Sequence, residues 1–308
     1  MECAVWASVK QLRGADEVWI HCGWKPCLWW AAAWGKKVKW MPEGCYDPVR
    51  LGYHGWKKKL AGPIERWGLR RCRRVVATCE EEGEWIRAYI GKGCPEVEVS
   101  DIKRFFDLAG VRKGDSDNVQ GRRCEERPSQ LTLDAGKISL RIASSGRESP
   151  IGEAHIAQQL ATLDGLSSPR HDNDTGAIDN DVCKEGVDLR VLYLGRGHEL
   201  KGVEFLEEAV KGMEGVELRK VSGVEGEEKE RVWDWCEVLV LPTLSDNFGL
   251  VVAEALERGK RVITTDGAPA WGDGEDYGGR LKYLKGYREG TREERVELLR
   301  RAVEEVRK

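Results

Sequence analysis

One stretch of the sequence, residues 238–269, constrains the fold more than any other. Val238–Leu241 is a short apolar run closed by Pro242, which is typical of a strand buried on both faces of a parallel sheet. Apolar residues then recur at helical spacing over residues 248–256, and a β-branched run follows at Arg261–Thr265. Strand, loop, helix and strand in this order predict one βαβ unit.

Polar residues fill the loop between the first of these strands and the helix. Ser245, Asp246 and Asn247 follow the carboxyl end of the strand, where α/β sheets bind ligands and free backbone N–H groups favour an anion. Glu254 stands on the predicted helix, eight positions after Asp246, with Phe248 and Gly249 between the two acids. Taken singly, Ser245 or Asp246 is better explained as a helix cap and Glu254 as a surface residue.

A second strand-to-loop segment carries two cations. Residues 187–194 predict a buried strand, and the loop GRGHELKG at 195–202 connects it to an amphipathic helix at 203–211. Arg196 and Lys201 can therefore converge with backbone amides at the top of the sheet, which suits a diphosphate. A lone Arg or Lys would instead be interpreted as a solvated loop residue.

Strands alternate with helices at both ends of the chain, whereas the middle is polar and aperiodic. Predicted strands at 17–22, 37–41, 74–78 and 97–99 alternate with helices, including 26–35 and 80–90, which indicates a parallel sheet with helices on both faces. Residues 110–186, with one short helix at 151–163, are predicted to be a largely disordered insertion or linker, an ordered lid being the alternative. We therefore expect a first domain at 1–109, the linker at 110–186, and a compact doubly wound domain at 187–308.

Composition excludes several classes of protein. The chain has 308 residues, enough for two domains, and a formal net charge of −3, which argues against a nucleic-acid binder. It has no apolar run of roughly 20 residues and no signal peptide at its N-terminus, so a cytoplasmic protein is expected. Ten cysteines without a CxxC pair or His clusters favour buried free thiols over a zinc site or disulfides.

Most of the thirteen tryptophans lie in the first 67 residues, close to basic clusters at 57–59 and 70–74. The tryptophans predict an aromatic core with surface filling, and the alternative is a patch that contacts an amphiphilic or sugar acceptor. The basic clusters predict a solvated face, and the alternative is a surface that rests on an anionic inner membrane leaflet or an acidic glycan.

The two loop segments that carry these charged residues, 195–202 and 245–254, resemble the donor site of retaining GT-B glycosyltransferases of the family 4 type (glycosyl transferases group 1). Asp246 and Glu254, separated by seven residues around Phe248-Gly249, match the family's two-acid signature, and residues 195–202 match its Gly-Arg-x4-Lys-Gly phosphate grip. Residues 47–91 look like the second half of the acceptor-side domain of bacterial polysaccharide and lipopolysaccharide glycosyltransferases. The resemblance implies two Rossmann-like doubly wound α/β domains, the N-terminal one abbreviated, because the strand and Gly-rich loop that open this domain in the family are not found before residue 17.

The resemblance also implies a role for each site residue. Arg196 and Lys201 would neutralise a departing nucleoside diphosphate, and Glu254 would accept the ribose hydroxyls of a UDP- or GDP-linked sugar. Asp246, in place of the usual Glu, would contact hydroxyls of the transferred sugar, and Glu43 occupies the position of a His that faces that sugar. The implied nucleotide-sugar-binding set is Gly195, Asn247, Phe248, Gly249, Leu250 and Glu254.

The implied function is transfer of a sugar from a nucleotide sugar to a glycan or lipid-linked acceptor, with retention of configuration and without a metal or cofactor. Three alternatives stay open: a non-catalytic nucleotide-sugar binder, a GT-B phosphorylase, and a sugar-nucleotide epimerase. The abbreviated first domain and Glu43 favour the non-catalytic binder among them.

Overall fold

A computed structural model of the chain describes residues 16–24, 29, 32–33, 37–53, 55–100, 103, 142–143 and 186–308. These residues form two compact units: the first contains the described residues up to 103 together with 142–143, and the second contains residues 186–308. Within the helix predicted at 26–35 the structure describes residues 29, 32 and 33, of which 29 and 32 are helical. The helix predicted at 151–163, the boundary predicted at 109, and nearly all of the linker predicted at 110–186 lie outside the described residues.

The first unit contains a five-stranded sheet that is parallel except at one edge. Its order is β4-β3-β2-β1-β5, with Val18 of β1 opposite Val38 of β2 and β5 antiparallel to β1. The alternation of strands and helices predicted for this part of the chain is confirmed. In chain order the elements are β1 (Glu17–His21), β2 (Val38–Met41), α1 (Pro48–Gly52), α2 (Gly55–Arg71), β3 (Arg74–Ala77), α3 (Glu80–Ile90), β4 (Glu96–Val99) and β5 (Ile142–Ala143).

The core of the first unit is formed by the sheet and by the inner faces of α2 and α3. Val18, Val38, Leu69 and Ile86 belong to one cluster of fully buried side chains, each stabilised by about 1.5–3 kcal/mol on burial. Trp40 lies in the same cluster, and its indole N–H donates to the Cys22 carbonyl at 2.6 Å. The predicted aromatic core is therefore confirmed for Trp40, although not for every tryptophan near it.

The second unit contains a five-stranded, fully parallel sheet of order β10-β9-β8-β6-β7. The chain passes from β6 outward to β7 and then returns across β6 to β8, so strand order reverses at β6. Right-handed crossovers in opposite directions place helices on both faces of such a sheet. Its elements are β6 (Leu189–Leu194), α4 (Val203–Val210), β7 (Val216–Val221), α5 (Gly226–Trp235), β8 (Val238–Leu241), α6 (Leu250–Glu257), β9 (Arg261–Thr265), β10 (Leu281–Leu284) and α7 (Arg292–Arg307).

Helix α6 begins two residues later than the apolar spacing predicted. Gly249 caps the helix in the left-handed region, with φ 69°, so Phe248 and Gly249 belong to the loop and Leu250 is the first helical residue. The last helix, α7, begins at a capping box in which Thr291 and Glu294 each accept the other's backbone N–H. Among the helices of the described residues, none is long and apolar enough to cross a bilayer.

Candidate functional site

The loops that follow β6 and β8 meet at the point where strand order reverses in the second sheet. The backbone N–H of Leu244 donates to the Leu200 carbonyl at 2.8 Å, and the Thr243 hydroxyl donates to the same oxygen at 3.0 Å. Because β6 and β8 are adjacent parallel strands, both loops emerge at the same edge of the sheet. The two predicted ligand segments therefore form one surface.

Lys201 and Asp246 are in direct contact across these two loops. The Lys201 Nζ pairs with the Asp246 Oδ2, and both side chains are 18% exposed. The second oxygen, Asp246 Oδ1, accepts the backbone N–H of Asn247 at 2.8 Å, and the Asp246 N–H donates to the Gly267 carbonyl at 2.7 Å. The cation predicted for a diphosphate and the acid predicted for a sugar thus form one mostly buried polar centre.

Two glycines let the loop after β8 approach its neighbours closely: Gly202 in the loop after β6 and Gly267 in the loop after β9. Gly202 has φ 62°, and a Cβ at this position would lie 2.2 Å from the Pro242 carbonyl oxygen. A Cβ at Gly267 would lie 2.0 Å from the Thr243 carbonyl oxygen. Since real Cβ atoms do not approach backbone oxygens so closely, any other residue at either position would force the loops apart.

Arg196 lies further out on the same loop, where its side chain is exposed. Its carbonyl accepts the Tyr193 hydroxyl at 2.8 Å, and Gly195 donates its N–H to the Val221 carbonyl at 2.9 Å. Burial, and then the negative charge of Asp246, raise the pKa of the Tyr193 phenol, so it stays protonated and able to donate. The two predicted cations therefore differ in solvent access, although they belong to one loop.

Phe248 and Gly249 position the N-terminus of α6 beside the polar centre. The buried Phe248 ring packs against the Trp271 ring, with centroids 5.2 Å apart, and the Trp271 indole N–H donates to the Phe248 carbonyl at 2.5 Å. Leu250 then starts the helix, and the buried Asn247 precedes the turn. The positive end of the helix dipole favours an anion there.

Glu254 of α6 is paired with a lysine that the sequence did not single out. The Lys229 Nζ of α5 lies 3.0 Å from Glu254 Oε1 and 2.8 Å from Oε2, and both side chains are mostly buried. Helices α5 and α6 precede and follow β8, so the fold brings the pair together over 25 positions of sequence. Helical spacing would instead have suggested Arg258, four positions after Glu254, but its guanidinium contacts Glu230 and the Glu254 carbonyl.

Glu43 lies in the first unit, in the turn that follows β2. It is buried, with φ 55°, and its Oε1 lies 3.1 Å from His21 Nδ1. The Cys22 thiol donates to Glu43 Oε2 at 3.1 Å. The sequence did not single out His21 or Cys22, although the ends of adjacent parallel strands meet at one edge of a sheet and could have suggested them.

The cysteines of the described residues are free thiols. The predicted burial is confirmed for Cys72 and Cys236, whereas the others are partly exposed: Cys22, Cys45, Cys79 and Cys94. Burial raises the pKa of Cys72 to about 12 and that of Cys236 to about 11, so both are unreactive at neutral pH. Within the described ranges, no three His, Cys, Asp or Glu side chains are grouped to hold a metal ion.

Two glycosyltransferase domain families match the chain, one in each half. Residues 2–99 match the glycosyl transferase 4-like domain, and residues 176–282 match glycosyl transferases group 1. No curated protein matches the chain.

Solved structures with a similar fold include two synthases. Sucrose-phosphate synthase from Thermosynechococcus elongatus is 15% identical, with a TM-score of 0.50 over 94% of this chain and 64% of that chain. A UDP-forming α,α-trehalose-phosphate synthase from Burkholderia xenovorans is 10% identical, with a TM-score of 0.50 over 92% of this chain and 65% of that chain. The chain therefore spans less than two thirds of the length of either synthase. The two domain matches and this fold together support a GT-B glycosyltransferase, with one Rossmann-like sheet in each unit.

Proposed function

We propose that the chain transfers a sugar from a nucleotide-linked donor to a glycan or lipid-linked acceptor, with retention of the anomeric configuration. The observation that carries this proposal is the contact between Lys201 and Asp246 at the reversal point of the second sheet. A cation suited to a diphosphate and an acid suited to sugar hydroxyls share one centre there, in the part of the chain that matches glycosyl transferases group 1.

The proposed donor site uses each part of this surface for one part of the nucleotide sugar. Lys201, Arg196 and the amides at the start of α6 bind the diphosphate, Asp246 accepts hydrogen bonds from the sugar, and Glu254 accepts them from the ribose. A UDP-linked donor is supported by the UDP-forming synthase of similar fold, and a GDP-linked donor is the alternative. Such donors are cytoplasmic metabolites, so we assign the proposed reaction to the cytoplasm. The resemblance of residues 47–91 to the acceptor-side domain of bacterial polysaccharide and lipopolysaccharide glycosyltransferases supports assembly of such a glycan.

In the proposed reaction, the bond from C1 of the sugar to the diphosphate oxygen breaks while the acceptor oxygen bonds to C1 from the same face. The diphosphate leaves with both electrons of the broken bond and takes the proton of the acceptor hydroxyl. Arg196, Lys201 and the helix amides stabilise the charge that grows on the phosphate. Because these groups supply the positive charge, the proposal includes no metal ion and no other cofactor.

One observation favours a second candidate, a non-catalytic nucleotide-sugar binder. Glu43 replaces the His that faces the donor sugar in the family, and its carboxylate is already engaged by His21 and Cys22. As a catalytic group, an acid at this position would stabilise positive charge at the anomeric carbon. If the Glu43 carboxylate does not stabilise this charge, the chain would bind nucleotide sugars without transferring the sugar.

The test has two stages. Thermal stabilisation by a panel of UDP- and GDP-sugars identifies the donor, since a ligand that binds the folded state raises its apparent stability. NMR of the products, with donor alone and then with glycan and lipid-linked acceptors, identifies the reaction. A glycosidic product that keeps the donor's anomeric configuration is the expected result.

Other outcomes contradict the proposal in distinguishable ways. Stabilisation by UDP without a product on any acceptor identifies the non-catalytic binder. A sugar 1-phosphate formed from a glycan and inorganic phosphate, in a separate reaction without nucleotide sugar, identifies a phosphorylase. A changed sugar nucleotide formed from donor alone identifies an epimerase.

A further inference from the structure

Helix α2 exposes a stripe of large apolar side chains along its whole length. Trp56, Leu60, Ile64 and Trp67 are 65%, 75%, 44% and 43% exposed, and their spacing of four, four and three residues places them on one face. We call these four residues the α2 stripe. Within the described part of the chain, the remaining exposed large hydrophobic side chain is Tyr53, which directly follows α1.

The α2 stripe is not the face that packs on the first sheet. Gly62, Glu65 and Leu69, on the opposite side of the helix, are buried in the unit. Glu65 is held there by the Tyr46 hydroxyl at 2.6 Å and the Trp24 backbone N–H at 2.9 Å. The unit thus buries the face with Gly62, Glu65 and Leu69, and the large apolar side chains of the α2 stripe lie on the opposite, exposed face.

Cations border the α2 stripe on its exposed side. Lys57 and Lys59 are exposed next to Trp56 and Leu60, and Arg70 and Arg71 are exposed at the end of the helix. The Lys57 Nζ lies 5.6 Å from the centroid of the Trp56 ring, and the Arg71 guanidinium lies 5.1 Å from that of Trp67.

The helix contributes no acid to this surface. Its sequence, GWKKKLAGPIERWGLRR, contains one carboxylate, that of Glu65, and this side chain is buried on the opposite face. The outer face of α2 therefore combines tryptophan, aliphatic side chains and positive charge. Of its cations, Arg70 also donates to the Ile90 carbonyl at 2.6 Å and Arg71 to the Ala33 carbonyl at 3.5 Å.

We propose that α2 lies flat on the surface of an anionic phospholipid bilayer, with the α2 stripe inserted between headgroups and acyl chains. A helix of 17 residues is about 25 Å long, and tryptophans at its exposed face suit the interfacial region. Lys57, Lys59, Arg70 and Arg71 contact the phosphates of the headgroups. This proposal does not depend on the reaction assigned to the chain.

Charge complementarity favours a bilayer over a second copy of this chain. A twofold dimer centred on the α2 stripe would place Lys57 and Lys59 opposite the same lysines if the two helices ran parallel, and opposite the arginine end of the helix if they ran antiparallel. Like charges would meet in both arrangements, and like charges across an interface are unfavourable. An anionic bilayer supplies both the apolar layer and the countercharge.

The test is co-sedimentation of the full chain with vesicles of phosphatidylcholine alone and of phosphatidylcholine mixed with phosphatidylglycerol. We expect binding to the anionic vesicles only, weakened by salt. The pair K57Q/K59Q should weaken this binding about 30-fold, because each cation near an anionic surface contributes on the order of fivefold. The pair W56Q/L60Q should weaken it at least about tenfold at low salt, because apolar insertion is lost.

A matched pair in the second unit, K211Q/K285Q, removes the same charge from exposed lysines and should leave vesicle binding unchanged. Circular dichroism checks that each variant folds. If W56Q/L60Q does not fold, vesicle binding by K57Q/K59Q tests the proposal by itself. Equal binding to both kinds of vesicle, no binding to either, or an equal loss in K211Q/K285Q would overturn the proposal. A dimer in sedimentation velocity that W56Q/L60Q abolishes would also overturn it, because a second copy would then cover the stripe.

Discussion

The Lys201 ammonium contacts the Asp246 carboxylate although the two residues are 45 positions apart. Each lies on the loop after one of two adjacent strands, β6 and β8, and each is largely shielded from solvent. The two charges therefore neutralise one another where the proposed donor site expects a diphosphate. A bound diphosphate has to share Lys201 with Asp246 or displace the Asp246 carboxylate from Lys201.

Lys201→Ala and Asp246→Asn should change the affinity for UDP in opposite directions. A hydrogen bond to a charged group contributes about 1.5–3 kcal/mol, so Lys201→Ala should weaken UDP binding at least about tenfold. Asp246→Asn removes the competing charge and should strengthen binding of UDP alone, although sugar transfer falls. Isothermal titration calorimetry with UDP and GDP measures both effects.

Arg196→Ala should weaken UDP binding less than Lys201→Ala does, because the Arg196 side chain is exposed and solvent screens its charge. The same calorimetric titration compares the two variants. Unchanged affinity for UDP and GDP in Lys201→Ala, Arg196→Ala and Asp246→Asn together would refute the assignment of the diphosphate site.

Glu254→Gln and Lys229→Met should both reduce discrimination of the ribose. Glu254 is proposed to accept the ribose hydroxyls, and Lys229 holds its carboxylate through contacts at 2.8 and 3.0 Å. We expect each variant to lower the preference for UDP over its 2′,3′-dideoxy analogue, about tenfold for Glu254→Gln. Lys220→Met is the control, because Lys220 pairs with Glu207 on the exposed surface. A dideoxy analogue that binds wild type as tightly as UDP would contradict the role of Glu254.

Gly202→Ala should destabilise the second unit more than Gly212→Ala. Both glycines have left-handed φ, which costs a residue with a Cβ about 1–2 kcal/mol. A Cβ at Gly202 would in addition lie 2.2 Å from the Pro242 carbonyl oxygen, whereas one at Gly212 would meet nothing within 4 Å. We expect a further loss of about 1–3 kcal/mol for Gly202→Ala, measured by urea unfolding. Equal losses would show that the loops adjust freely.

Glu65 and Glu82 should make the first unit less stable as pH rises. Burial raises the pKa of both carboxyls above the ordinary value of 4.5. Hydrogen bonds from Tyr46 to Glu65 and from Thr78 to Glu82 lower the pKa, but by less than burial raises it. Between the unfolded and the raised folded pKa the folded state binds more protons, so the free energy of unfolding falls with increasing pH across that window.

Urea unfolding at a series of pH values from about 4.5 upward measures this dependence. Glu65→Gln should reduce the slope of unfolding free energy against pH. The variant also loses one of the two carboxylate oxygens that accept hydrogen bonds at this site. Glu84→Gln, at an exposed position of α3, should leave the slope as in wild type. A wild-type slope that survives both Glu65→Gln and Glu82→Gln would assign the pH dependence to other groups.

Much of the second sheet could be predicted because its strands are buried on both faces. Val238–Leu241 and Arg261–Thr265 are continuous apolar or β-branched runs, and their predicted bounds are those of β8 and β9. The start of α6 could not be predicted from spacing, since Phe248 continues the apolar period. The left-handed Gly249 keeps Phe248 in the loop, where its ring packs on Trp271, a residue distant in sequence.

The sequence by itself determined the elements and the chemistry of the two loops, because periodicity, turn residues and motif spacing are local properties of the chain. Only the tertiary structure decided that these loops meet, since β7 separates β6 from β8 in sequence while strand order makes them neighbours. The same holds for the pairing of Lys229 with Glu254. It holds as well for α2, whose single acid turns inward to Tyr46 and leaves the apolar stripe facing outward.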